Sequence, residues 1–100
     1  MSRPAPELAP GSTVGAHRVV RLLGKGASAH VYVARGPTGQ DVALKLRPRG
    51  DPDQDRRFLR EFESLRRLAL PGIVTVHEAG HTRDWLYYTM EIVDGAPMRA

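Results

Sequence analysis

The residues of this chain best suited to chemistry are a pair of glycines, a lysine beside a small residue on one strand face and a carboxylate on an apolar helical stripe. Gly24-Lys25-Gly26-Ala27-Ser28-Ala29 sits between Val19-Val20-Arg21-Leu22-Leu23 and His30-Val31-Tyr32-Val33. Gly24 and Gly26 lack a Cβ, so backbone N–H groups there can approach an anion closely, which suits a phosphate. Lys45 lies in Asp41-Val42-Ala43-Leu44-Lys45-Leu46. In a strand, Val42, Leu44 and Leu46 share one face while Ala43 and Lys45 share the other. A small residue and an ammonium side by side make a face that can admit a flat group next to an anion, although a lysine on an edge strand also serves to discourage aggregation. Glu61 falls inside the stripe Phe58, Phe62, Leu65, Leu68 and Ala69, and a carboxylate in that position needs a partner. Arg57, one turn earlier, and Lys45 are the two candidates.

These groups require elements to hold them. Both flanks of the glycine turn favour extended structure, which predicts strand, glycine turn, strand. The letters Gly24, Gly26 and Ala29 also fit a dinucleotide-binding fingerprint, but that motif must open a helix. The β-branched segment that follows, closed by Gly36-Pro37, leaves no room for one. Strands are expected over Arg18 to Leu23, His30 to Arg35 and Gln40 to Leu46, with Gly36-Pro37-Thr38-Gly39 as the turn joining the last two. Asp51-Pro52-Asp53-Gln54 predicts a helix start, with Asp51 as N-cap and proline in the first helical position. Pro71-Gly72 marks its stop. Ile73 to Gly80 and Trp85 to Val93 read as two further strands, and Pro4, Pro6 and Pro10 mark residues 1–13 as a flexible leader.

His77-Glu78-Ala79-Gly80-His81 matches the zinc-protease pattern H-E-x-x-H letter for letter. That chemistry needs both histidines on one face of a helix, with the glutamate placed to activate a metal-bound water. The β-branched run before it and Gly80 within it argue for a strand end and a turn instead.

Composition narrows the function classes. With 41% hydrophobic and 26% charged residues the chain reads as one small globular domain rather than a disordered segment. The absence of cysteine excludes disulfides and cysteine-ligated zinc, and permits a cytoplasmic setting. No apolar run reaches membrane-spanning length. The net charge of +4 comes almost wholly from arginine, since Lys25 and Lys45 are the only lysines. Acidic residues interleave with Arg56, Arg57, Arg60, Arg66 and Arg67, so that stretch reads as a solvated helix face rather than a nucleic-acid surface.

In order, the pieces are strand, glycine loop, strand, lysine strand, glutamate helix and two strands. The chain thereby resembles the N-terminal lobe of protein kinases, and within them the bacterial serine/threonine kinases of the eukaryotic type. Gly24 to Val31 follows the kinase G-x-G-x-x-G-x-V pattern with Ala29 at the third glycine, and Val42-Ala43-Leu44-Lys45 follows V-A-I-K. Glu61 stands where the family's helix glutamate lies, and Met90-Glu91-Ile92-Val93-Asp94-Gly95 resembles the hinge. The resemblance implies an α+β fold, a five-stranded antiparallel sheet with one main helix over residues 14–100, forming an incomplete kinase domain without its C-lobe.

It also implies roles. Leu23, Val31 and Ala43 would roof the adenine of ATP, main-chain groups of Glu91 and Val93 would bond its edge, and Met90 would be the gatekeeper. The loop of Gly24, Lys25, Gly26, Ala27, Ser28 and Ala29 would cover the phosphates. Lys45 would hold the α- and β-phosphates and pair with Glu61, the two catalytic positions in this stretch. Leu65 and Val76 would belong to the packed internal spine. The catalytic loop and the Mg²⁺ ligands are expected in the C-lobe, along with the protein-substrate surface, so the 100 residues alone are expected to be inactive and their apolar underside to need a cover. The rival reading is a catalytically inactive kinase-like binding or regulatory module.

Overall fold

The computed structural model describes residues 7–68 and 75–92. Its elements are β1 (Thr13–Val14), β2 (His17–Lys25), β3 (His30–Arg35), β4 (Asp41–Pro48), α1 (Pro52–Leu68), β5 (Val76–His81) and β6 (Trp85–Met90). All pair antiparallel in one sheet ordered β1-β2-β3-β4-β6-β5. The connection through α1 passes beyond β6, so β6 returns to pair with β4 and leaves β5 at the edge.

The expected strand over His30 to Arg35 has the observed bounds; β2 extends beyond Arg18 to Leu23 at both ends, and β4 starts at Asp41 rather than Gln40 and runs on past Leu46 to Pro48. The sheet has six strands rather than five because the short Thr13–Val14 pairs with the start of β2. Two residues are too few to register as alternation in a sequence. Of the fourth expected strand, Ile73 and Val74 lie outside the described residues, and β5 covers Val76 to His81; the fifth ends at Met90. Val93, named for the hinge, lies outside the described residues, as do Pro71, Gly72 and Ala69. Of the expected leader, residues 7–13 lie against the sheet. The Leu8 N–H donates to the Tyr32 hydroxyl at 3.0 Å, and main-chain bonds of 2.8 Å link Gly11 and Ser12 to Val19.

Alternation along the strands gives the sheet two apolar faces. Val42, Leu44 and Leu46 join Val14, Val19, Tyr32 and Ala34 on one, with Leu8, Trp85 and Tyr87 packed against them. Ala43 joins Ala29, Val31, Leu86, Tyr88 and Met90 on the other, where Phe58 and Phe62 of α1 cover them. The turn from β3 to β4 closes through Gly39, whose φ of 88° is in the region that favours glycine.

Helix α1 starts as its sequence dictates. Asp51 accepts the N–H groups of Asp53 and Gln54 at 3.1 and 3.2 Å on one carboxylate oxygen, and Pro52 is the first helical residue. Asp53 and Asp55 in the first turn and Arg66 and Arg67 in the last complement the helix dipole. Phe58 and Phe62 are buried and Leu65 packs at the edge of the same cluster, but Leu68 is exposed. The stripe therefore engages the core from Phe58 to Leu65 and not at Leu68.

Candidate nucleotide site

Strand register builds the site. Gly24 lies opposite Val31, Val31 opposite Lys45, and Lys45 opposite Tyr88, so one row crosses four strands. The parallel row below it sets Ala43 between Val33 and Met90. In β2 the register shifts between Leu22 and Gly24, leaving Leu23 as an extra residue. Such a bulge bends and twists a strand locally, and here it comes just before the glycine tip.

A cavity of about 250 Å³ opens at this end of the sheet, lined by Leu23, Gly24, Lys25, Gly26, Ala29, Val31 and Lys45. Leucine, alanine and valine give it an apolar wall, the glycines a rim of bare backbone, and Lys45 a cation. Ala27 and Ser28 are exposed at the loop tip. Ala43 and Met90 are buried in the cluster that includes Ala29 and Val31 and do not line the cavity itself. Glu91 is exposed; its N–H donates to the Thr75 carbonyl at 2.8 Å, which leaves its carbonyl as the main-chain group it can offer a ligand.

The two glycines differ. Gly26 donates its N–H to the Ala29 carbonyl at 2.8 Å, and a Cβ on Gly26 would lie 2.8 Å from that same oxygen. A Cβ on Gly24 would meet nothing within 4 Å. The close approach that demands glycine for the loop's own shape is thus at Gly26, whereas the space above Gly24 is open for a ligand.

Of the two partners considered for Glu61, the structure selects Lys45, at 2.6 Å from Nζ to Oε1. The Tyr88 hydroxyl donates to the same oxygen. Burial pushes the Glu61 carboxyl up, yet the hydrogen bonds from Lys45 and Tyr88 and the lysine's charge outweigh it, so its pKa lies below the ordinary 4.5. For Tyr88, burial acts first, and the bond to Glu61 and its negative charge add to it; together they hold the phenol well above the usual tyrosine range, as a proton donor. Lys45 also lies 5.8 Å from the centre of the Tyr88 ring, within cation–π reach. Glu61 keeps 45% of its side chain exposed and Lys45 21%, so this pair adds little to stability, about 0–1 kcal/mol. Its consequence is positional: an ammonium fixed at the cavity wall.

Two ties escaped the sequence reading. Arg47, two residues beyond Lys45 on the same strand face, is buried and donates to Asp55 at 3.0 Å, and the other oxygen of Asp55 accepts the Gly50 N–H at 3.3 Å. Asp55 therefore anchors α1 to β4 rather than belonging to the solvated face of the helix. Tyr88 is the second. Both lie two residues from a position already singled out, Lys45 or Met90, so strand alternation was the available signal.

The dinucleotide and zinc alternatives find no support in the geometry. A strand, β3, follows the glycine turn, and His77 to His81 lie on strand β5. Among the described residues no group of three or more metal-ligating side chains converges.

Comparison with known proteins agrees with this architecture. The sequence model of the family described as Protein kinase domain matches residues 17–100. The DNA damage-responsive serine/threonine-protein kinase RqkA of Deinococcus radiodurans is 41% identical over 96 residues, covering 91% of this chain and 14% of RqkA. The serine/threonine-protein kinase PknJ of Mycobacterium tuberculosis is 38% identical over 95 residues, covering 91% of this chain and 16% of PknJ. The crystal structure of the M. tuberculosis PknI kinase domain superposes with a TM-score of 0.64 at 34% identity, covering 88% of this chain and 37% of that one. This chain thus spans a minor part of each relative's length. The sheet order, the Lys45–Glu61 pair and these matches together establish that the chain belongs to the protein kinase family, as an N-lobe related to bacterial serine/threonine kinases.

Proposed function

We propose that these residues form the ATP-binding lobe of a serine/threonine protein kinase, which transfers the γ-phosphoryl group of ATP to protein hydroxyls when completed by a C-lobe. The observation that carries the reading is the Lys45–Glu61 pair standing at the wall of an apolar cavity under a glycine loop. A weak, half-exposed ion pair in that position has little structural value, whereas a lysine held there meets the α- and β-phosphates.

In this reading Leu23 and Val31, backed by Ala43, form the apolar roof over adenine. The Glu91 carbonyl and main-chain groups of Val93 bond its edge, and Met90 stands behind it as gatekeeper. The loop of Gly24, Lys25, Gly26, Ala27, Ser28 and Ala29 covers the phosphates, with Gly26, whose own N–H is bonded to the Ala29 carbonyl, shaping the turn that presents the other main-chain N–H groups. Glu61 keeps Lys45 extended toward them. ATP supplies the transferred group, and Mg²⁺ neutralises its phosphates on ligands from the C-lobe, which also contributes the catalytic base and the protein-substrate surface. The site would act in the cytoplasm, where ATP is available. No helix among the described residues is long and apolar enough to cross a membrane.

Incubation of the protein made by the native gene with γ-labelled ATP and a protein acceptor tests the proposal. Label should appear on serine or threonine, and Lys45→Met should reduce its rate on the order of 100-fold by removing a preorganised charge from the site. Transfer undiminished by that substitution would remove Lys45 from the mechanism. Wild-type protein that binds ATP without transferring it would favour the binding-module alternative.

A further inference from the structure

Tyr88, on the sheet, meets helix α1 at several points of one helical face. Its ring lies 5.0 Å from that of Phe58 and 5.6 Å from that of Phe62, and its hydroxyl donates to Glu61. Phe58, Glu61 and Phe62 are positions i, i+3 and i+4 of one helical face. The ring is almost wholly buried and sits opposite Lys45 in the register of β4 and β6. The phenol therefore reaches the carboxylate from β6 while the Lys45 ammonium reaches the same oxygen from the neighbouring β4.

We propose that Tyr88 is a positioning residue of the phosphate site: its phenol fixes the carboxylate of Glu61, and with it the depth and rotation of α1, so that Lys45 is held toward the cavity before nucleotide arrives. The inference rests on the nucleotide reading above and deepens it. Any apolar side chain can fill the space between Phe58 and Phe62, but only a hydroxyl can satisfy a carboxylate from beneath. Without it, Glu61 would have Lys45 as its sole partner, and when Lys45 turns to a phosphate the carboxylate would be free to swing to water. With it, Glu61 stays in place and Lys45 can contact phosphate and carboxylate together. An ordered ion pair lowers the cost of organising the site on binding.

Tyr88→Phe keeps the ring and removes the hydroxyl, so the packing with Phe58 and Phe62 remains. The first readout needs no nucleotide: the titration of Glu61 in the native gene product, followed by carbon NMR of labelled glutamate carboxyls and assigned by the loss of its signal in Glu61→Ala. The charged or titratable groups around it are Lys45 from β4, Tyr88 from β6 and, one turn away on its own helix, Arg57; only Tyr88 changes. Loss of a hydrogen bond to the ionised form should raise the midpoint by on the order of half a unit to one unit. An unchanged midpoint would overturn the proposal whatever the protein does with ATP.

The second readout is ATP affinity in a double-mutant cycle. Tyr88→Phe should weaken binding by roughly 3- to 10-fold in the wild-type background and by less than about 2-fold when Glu61 is already alanine. Equal losses in both backgrounds would mean that Tyr88 acts through general packing rather than through Glu61, and would refute the positioning role. A raised Glu61 midpoint in a protein that binds no ATP would uphold the tie between Tyr88 and Glu61 and overturn the nucleotide reading alone.

Discussion

The buried tie between β4 and α1 predicts an asymmetry between its two halves. Arg47 has only 8% of its side chain exposed and Asp55 23%. Replacing Asp55 by alanine strands a guanidinium in a site from which water is largely excluded. Removing one partner of a fully buried pair costs about 3–5 kcal/mol. Because Asp55 borders solvent, water can reach part of the vacated space, and about 2–3 kcal/mol is the better expectation, including the acceptor lost by the Gly50 N–H. Arg47→Met acts differently. It places an unbranched apolar side chain in the same space, removes an Nε that has no hydrogen-bond partner, and leaves a carboxylate that water can reach. That change should cost about 1 kcal/mol or less. Urea unfolding followed by the fluorescence of Trp85 measures both. With a slope of about 1 kcal/mol per molar for a domain of this size, the midpoint should fall by roughly 2–3 M for Asp55→Ala and by under about 1 M for Arg47→Met. A loss for Arg47→Met equal to or greater than that for Asp55→Ala would refute the reasoning, since it would mean that the charge itself stabilises the fold.

Further outcomes follow from the site. Gly26→Ala should weaken ATP binding more than Gly24→Ala when both are compared by calorimetric titration, because only the Gly26 Cβ would meet a backbone oxygen, that of Ala29. Glu61→Gln should lower phosphoryl transfer by about tenfold or more while Arg57→Gln leaves it within about twofold, measured as initial rates, because Lys45 is bonded to Glu61. The pH dependence has a definite sign. Since the Glu61 pKa is lowered on folding, its contribution to stability is fully present above its ordinary 4.5 and is lost as pH falls through the lower folded value. Denaturant midpoints taken from pH 6 down to pH 3 should therefore fall less steeply in Glu61→Gln than in the wild type.

How much of this was legible in the residues depends on the range of the signal. The glycine turn between two strands, the Lys45 face and the Asp51 cap are local features, and alternation or capping chemistry alone located them. The choice between Arg57 and Lys45 as partner of Glu61 was not local. It depended on α1 lying across the face of β4, which the residues implied only through the family resemblance. Tyr88 was legible only as part of its strand and Arg47 was not singled out, because their roles come from a helix packed over them. The first strand was missed for the opposite reason: Thr13–Val14 is too short to show a period, and its pairing is made by the turn at Gly15 and Ala16. Within the expected leader, residues 7–13 carry contacts that composition does not show. Proline-rich spacing marks a segment poor in secondary structure, yet Leu8 still finds an apolar partner on the outer face of the sheet.

In the proposed function Lys45, held by Glu61 beneath the glycine loop, makes this end of the sheet a phosphate site. The most direct test is an ATP titration of the isotopically labelled native gene product, observed at backbone amides. Saturable shifts concentrated at Gly24, Gly26, Ala29 and Val31, weakened by about tenfold or more in Lys45→Met, are the predicted result. Shifts that map elsewhere on the sheet, or binding that Lys45→Met leaves unchanged, would contradict it.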